Sequence, residues 1–200
     1  MNSAQPVLSI RELCVAFRSG GELVPAVSGV SIDVSAGETV AVVGASGAGK
    51  STLLAAIAGL IPLSAGRIER RVPVAALGHA NGLRSALTIA EHVRLWRTLY
   101  PFTDEEARDA AQKLSLAPLF DARAGALSAG QARRAAFLRI ALSGAGLLLL
   151  DEPTAGMDAS SAAAVVRLVE ERARRGAAAL IATHEAFPAA GARMLTLGAA

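Results

Sequence analysis

The stretch "ETVAVVGASGAGKSTLLAAIAGL", Glu38 to Leu60, decides the fold of this 200-residue chain. Its opening residues are almost wholly apolar, as in a strand buried on both faces of a parallel sheet. A run of glycine and small residues follows, then a helix-like segment that Pro62 and Gly66 close. The run fits G-x-x-x-x-G-K-[ST] through Gly44, Gly49, Lys50 and Ser51, and it sits between strand and helix as that motif requires. Glycines let backbone N–H groups curl around phosphate oxygens, and the helix N-terminus adds its positive end. Gly44, Ala45, Ser46, Gly47, Ala48, Gly49, Lys50, Ser51 and Thr52 are therefore the candidate phosphate cradle. Lys50 is placed to neutralise the β- and γ-phosphates of a nucleotide, and Ser51 to offer a hydroxyl to Mg²⁺. Of twenty basic side chains only Lys50 and Lys113 are lysine, so the compact ammonium in the loop is a marked choice.

Upstream, "VLSIRELCVAF" and "VSGVSIDV" alternate as strands of a half-exposed antiparallel sheet, with "RSGGEL" as the link. Downstream, "VPVAALGHA" reads as a short strand. From about 83 to 143 the signals are helical, with capping boxes at Thr88/Glu91 and Thr103/Glu106. Strands resume with "GLLLLDEP", "AAALIATHE" and "RMLTLG", separated by a helix over about 159–175. The expected architecture is a single α/β domain over 1–200, with a mostly parallel core sheet, an antiparallel β edge region and a helical subdomain at about 83–143.

Apolar residues make up 52%, but runs such as "LLLL" at Leu147 to Leu150 are far shorter than a bilayer requires. The opening residues carry no basic leader followed by an apolar stretch, so a cytosolic location is expected. One cysteine, Cys14, builds neither a disulfide framework nor a metal knuckle and reads as core. A net charge of +3 permits contact with nucleic acid or anionic lipid without arguing for either.

A nucleotide site also needs a metal-side carboxylate and a group to activate water. Asp151 ends a buried apolar strand, where it can hold Mg²⁺ directly or through water. Glu152 follows, and strand alternation turns it away from Asp151 toward solvent, as a candidate general base. His184 lies past another strand's C-terminal end, where ligands sit in open α/β sheets, and can bond a γ-phosphate or orient Glu152 and the water. "ALSAGQARR", Ala126 to Arg134, is a second anion-ready helix start: Ser128 caps it and Gly130 allows close approach. The insert that carries it is expected to form a lobe unable to reach its own site. A second copy of the chain, meeting the first head to tail, would supply "LSAGQ" to the other's phosphate loop.

"GASGAGKST", "LSAGQ", "LLLLDEP", "TAGMD" and "ATHE" stand in the order and contexts of the ATP-binding subunits of ABC transporters, which the chain resembles over almost its whole length. The resemblance implies that Gly44 to Thr52 are the Walker A loop for ATP and that Ser128, Gly130 and Gln131 belong to the signature motif. It likewise implies Asp151 as the Walker B aspartate, Glu152 as the catalytic glutamate, Asp158 as the D-loop aspartate and His184 as the switch histidine. Phe17 falls where the family stacks an aromatic ring on adenine; a core phenylalanine is the alternative.

Two residues depart from the pattern. Ala129 replaces a signature glycine while keeping the cap, and His79 stands where the Q-loop glutamine is expected. The pattern "LGHxxGL…LT…E" followed by "LSAGQ" and a double Arg resembles the CcmA family, the ATP-binding subunits of the haem exporter of cytochrome c maturation. That likeness implies a peripheral subunit on the cytoplasmic face of the inner membrane, bound to integral membrane subunits, hydrolysing ATP in support of haem handling. None of His79, His92 and His184 is needed as a haem ligand. Leu95, Trp96, Leu99, Tyr100 and Phe102 are candidates for the groove that meets the membrane subunits. A soluble relative acting on nucleic acid or ribosomes would add coiled coils, zinc modules or a second ATP site; these are not seen, and no nucleic-acid partner is expected. A GTPase would need an N-K-x-D element, which is also missing.

Overall fold

In the computed structural model, residues 5–184, 187–189 and 191–198 are described, so Glu185 of "ATHE" lies outside them. The strands are β1 (Leu8–Ser19), β2 (Glu22–Val34), β3 (Thr39–Val43), β4 (Ala65–Arg70), β5 (Val74–Leu77), β6 (Leu147–Asp151), β7 (Ala178–Ala182) and β8 (Arg193–Thr196). The helices are α1 (Lys50–Ala58), α2 (Ile89–Arg97), α3 (Asp104–Lys113), α4 (Ala129–Leu142) and α5 (Ala159–Arg174).

β6 and β7 are buried at every position, and β3 at all but its last. Side chains alternate between two cores. Leu147 and Leu149 face a cluster with α1 and the antiparallel strands, whereas Leu148 and Leu150 face one with α2 to α5. Each fully buried leucine is worth about 1.5–3 kcal/mol, which is why this strand tolerates no polar residue before Asp151. Every pairing in the sheet is parallel, in the order β5-β6-β7-β3-β8. The strands after β3 are thus not laid down in sequence order, and four C-terminal strand ends, those of β5, β6, β7 and β3, are neighbours along one edge.

The second sheet, β2-β1-β4, is antiparallel, with β1 and β2 joined at Gly20 and Gly21. β4 was not expected from its sequence. "AGRIER" has one large apolar residue, Ile68, and becomes a strand because β1 offers a free edge, pairing Ile10 with Ile68 and Leu8 with Arg70. Cys14 is only half-buried, flanked by the buried Leu13 and Val15, and its Sγ accepts the Gly29 N–H at 3.2 Å; it is not a core residue.

Both expected capping boxes are present at α2 and α3. The insert does not stand apart as a lobe, because Ile89, Val93, Trp96 and Phe137 join the same apolar cluster as Leu148 and Leu150 of the sheet. Trp96 is 3% exposed and belongs to that core rather than to a docking groove. Tyr100 and Phe102 pack partly buried against it, while Leu95 on α2 and Leu99 in the turn after it remain exposed. His92 is buried with Nδ1 2.8 Å from the Thr88 carbonyl, and Nε2 accepts the Arg84 N–H at 2.9 Å, so it ties the start of α2 to the preceding loop.

Candidate nucleotide site

The shared edge of the parallel sheet is where the sequence motifs converge. β3 exits into the glycine loop, β6 into Asp151 and Glu152, β7 into His184 and β5 into His79. A cleft of about 340 Å³ is lined by Ser46, Gly47, Gly49, Lys50, Ser51 and Thr52 on one side and by His79, Asp151, Glu152 and His184 on the other, with Ala26 at its margin. Segments separated by a hundred residues are thus gathered by strand order alone.

On the loop side, α1 begins at Gly49, whose φ of 86° is left-handed. A Cβ there would strike the Ala26 carbonyl, so only glycine fits. No side chain caps this helix and no acidic residue occupies its first turn, leaving its N-terminal amides and dipole facing the cleft uncompensated. Lys50 is buried, and its Nζ donates to the Gly44 and Ala45 carbonyls at 2.8 and 3.0 Å. Ala48 is buried against the core, so it shapes the loop from behind.

On the opposite side, Asp151 is 7% exposed at the end of β6. Glu152 then takes a left-handed φ of 48°, rare for a side chain with a Cβ, which marks a turn held by its surroundings. Its carboxylate is not turned out to solvent but lines the cleft with Asp151. Glu152 Oε1 lies 3.3 Å from His184 Nε2, within ion-pair reach, and has no hydrogen-bond partner among the described residues. That oxygen is buried beside the imidazole, a placement in which His184 can orient the carboxylate.

Other motif residues lie elsewhere. Ser128, Gly130 and Gln131 do not line the cleft. Ser128 Oγ accepts the Gln131 N–H at 3.3 Å and Gln131 Oε1 accepts the Ser128 N–H at 2.9 Å, closing a capping box at α4. Gly130 does allow a close approach, but within the chain: a Cβ there would come 2.8 Å from the Gly156 carbonyl oxygen. Asp158 caps α5, accepting from the Ser160 hydroxyl at 2.6 Å and from the Ser161 N–H at 2.8 Å and hydroxyl at 3.0 Å. These bonds, the Ser160 hydroxyl first, hold its carboxyl down at about 2. Phe17 is 48% exposed opposite Val24 on the hairpin, so it is not a core phenylalanine, and it stands outside the cleft's lining.

One residue in this region was not singled out by sequence. Arg133, 5% exposed on α4, reaches both the β5 and β6 exits. Its Nη1 donates to the Gly78 carbonyl at 2.7 Å, the His79 carbonyl at 3.4 Å and Asn81 Oδ1 at 3.1 Å. Its Nη2 donates to the carbonyls of Asp151 and, at 3.1 Å, Glu152. Burial pulls this guanidinium below its ordinary value, and the nearby Asp151 and Glu152 carboxylates oppose that pull. The double Arg after Gln131 was the only hint in the sequence; Arg134 beside it donates instead to the Leu114 carbonyl, and only the packing tells the two apart.

A family model described as ABC transporter matches residues 27–155. The cytochrome c biogenesis ATP-binding export protein CcmA of Roseobacter denitrificans is 39% identical over 194 residues, covering 96% of this chain and 90% of that relative. The CcmA protein of Cereibacter sphaeroides is 42% identical over 169 residues, covering 84% and 80%. Among solved structures, an ATP-binding subunit of an ABC transporter matches with a TM-score of 0.80 at 25% identity over 89% of this chain and 79% of that one. A bacterial ABC transporter cassette solved as a dimer matches at 0.85 and 22% identity over 95% and 94%, a likeness of fold alone. The chain belongs to the ATP-binding subunits of ABC transporters and, within them, to the CcmA proteins.

Proposed function

We propose that the chain binds Mg-ATP between two copies of itself and hydrolyses it, driving membrane subunits of an exporter that serves cytochrome c assembly. The observation that carries this reading is one cleft holding Lys50, Ser51, Asp151, Glu152 and His184, with the signature residues 128–131 outside its lining. A site furnished with every group for phosphoryl transfer except a cover is completed by another molecule's α4. The parallel CcmA relatives carry cytochrome c biogenesis and export in their names, which supports the same cargo path here, with haem as the exported group.

In hydrolysis, Lys50 and the α1 amides stabilise charge on the β- and γ-phosphates, and Glu152 polarises the attacking water. His184 orients Glu152 and the γ-phosphate from its place 3.3 Å away. The Ser51 hydroxyl and Asp151 carboxylate are hard oxygen donors that fit Mg²⁺, which typically keeps waters and substrate phosphates as its remaining ligands. Among the described residues no cluster of three His, Cys, Asp or Glu could form a protein-only cage, in keeping with such a shared site. Held there by Ser51 and Asp151, such an ion would supply positive charge against that developing on the phosphates. His79 presents an imidazole to the cleft from the Q-loop position, and Phe17 is exposed to stack on adenine. No helix among the described residues is long and apolar enough to cross a membrane. In this reading the exposed Leu95 and Leu99 contribute to contact with the membrane subunits at the cytoplasmic face of the inner membrane.

Glu152→Gln is the test. It should bind ATP, accumulate as a dimer in size-exclusion chromatography and lose about 10²–10⁴-fold in turnover. Turnover near that of the unmodified protein would place the base elsewhere.

A further inference from the structure

Beyond the strand ends, the β5 and β6 exits lose the ladder that pairs Leu77 with Leu150. Of the carbonyls there, those of the buried Asp151 and half-buried Glu152 need donors, while those of Gly78 and His79 lie in an exposed segment. Arg133 supplies them all from α4, with Asn81 as its one side-chain acceptor. No carboxylate forms an ion pair with it among the described residues. A buried cation whose hydrogen bonds all go to carbonyl oxygens, with the Asp151 and Glu152 carboxylates near but not paired to it, is an expensive way to join two loops if joining were its sole purpose. Its planar fork is the feature that matters, because the two Nη groups address the two exits separately.

Both exits bear groups of the cleft: His79 follows β5 and Glu152 follows β6, the latter at a left-handed φ that its neighbours must hold in place. Arg133 also stands five residues, about 7.5 Å of helix, from Ser128 at the α4 N-terminus. Any tilt of α4 that accompanies closure of Ser128 on another chain's phosphate is therefore transmitted through one guanidinium to Glu152 and His79 of its own cleft.

We infer that Arg133 is a positioning residue for hydrolysis: it sets the Glu152 turn and the His79 loop in register with the signature helix, so that a cleft is competent for water attack only when its own α4 is docked. This rests on Glu152 being the group that activates water.

The test compares the unmodified protein, Arg133→Lys, Glu152→Gln and the double variant, each as the full chain. Measured are ATPase kinetics, binding of a fluorescent ATP analogue and thermal melting. A lysine ammonium reaches one exit but cannot fork across both. We expect Arg133→Lys to lower kcat at least tenfold, with KM and analogue affinity within about twofold and a melting temperature lowered by only a few degrees, from the carbonyls left without a donor. In the Glu152→Gln background, the same replacement should cost less than about twofold, because the group it positions is already gone. Normal kcat in Arg133→Lys, or a full tenfold further loss in the double variant, overturns the inference. An unmodified protein without ATPase activity, or Glu152→Gln with full turnover, would instead fail the underlying reading. Should Arg133→Lys not fold, Arg133→Gln, neutral and able to donate to one exit only, is held to the same criteria.

Discussion

Helix α1 starts at a glycine with no side-chain cap, whereas α4 starts at Ser128 inside a reciprocal box that uses the Ser128 and Gln131 amides. Both starts are rich in small residues and both favour an anion by the helix dipole. At α1 the amides are left for a ligand, and a buried ammonium and two carboxylates stand around them. The α4 start has no such company: its nearest close approach is to the Gly156 carbonyl. On the proposed reading the first is a seat and the second a preformed cover that holds its own shape without a phosphate. The seat of one copy and the cover of another would then enclose one nucleotide.

The contrast can be broken at several points. Lys50→Met removes the ammonium from the seat and should reduce hydrolysis by on the order of 10³-fold and weaken ATP binding by equilibrium fluorescence. Gly130→Ala drives a methyl toward the Gly156 carbonyl and should displace the cover. Turnover should fall about tenfold while ATP binding to the monomer stays within twofold; equal loss of both would mean that cover and seat are not separable. Ser128→Ala deletes half the capping box, costing about 1 kcal/mol. Its melting temperature should drop by roughly 2–4 °C in calorimetry.

The smallest effect concerns Asp158. Its folded carboxyl titrates near 2 against an ordinary 3.8, so the stabilisation it gives is complete above about pH 5 and is lost as pH falls from 3.8 toward 2. Asparagine also caps helices well, so Asp158→Asn should melt normally at pH 7 and lack this acid-side decline.

Much of the cleft was legible because its residues are tied to local structure. The glycine loop, the apolar strand before Asp151 and the turn after β7 each announce a strand end, and parallel sheets place ligands at such ends. The capping boxes at Thr88 and Thr103 are equally local, needing only four consecutive residues. Where periodicity failed, the missing information was long-range. β4 is a strand only because β1 has a vacant edge, and "AGRIER" carries almost no apolar pattern of its own. Trp96 and Leu95 are adjacent in one helix and both are large and largely apolar, yet one is core and the other exposed, since the packing of α2 against α4 chooses the face. Phe17 likewise sits in an alternating strand that gives no reason to expect the hairpin tip to be open.

By itself, the sequence determined which side chains are available for phosphate, metal and water, and that they end strands or begin helices, because those signals rest on backbone geometry within a few residues. Only the tertiary structure decided that four strand ends lie side by side, that Glu152 sits beside His184 on one wall of the cleft, that Ser128, Gly130 and Gln131 fall outside its lining and that Arg133 rather than Arg134 binds the two exits together. Those relations depend on strand order and on which helix face is buried, which are settled by contacts between residues tens of positions apart.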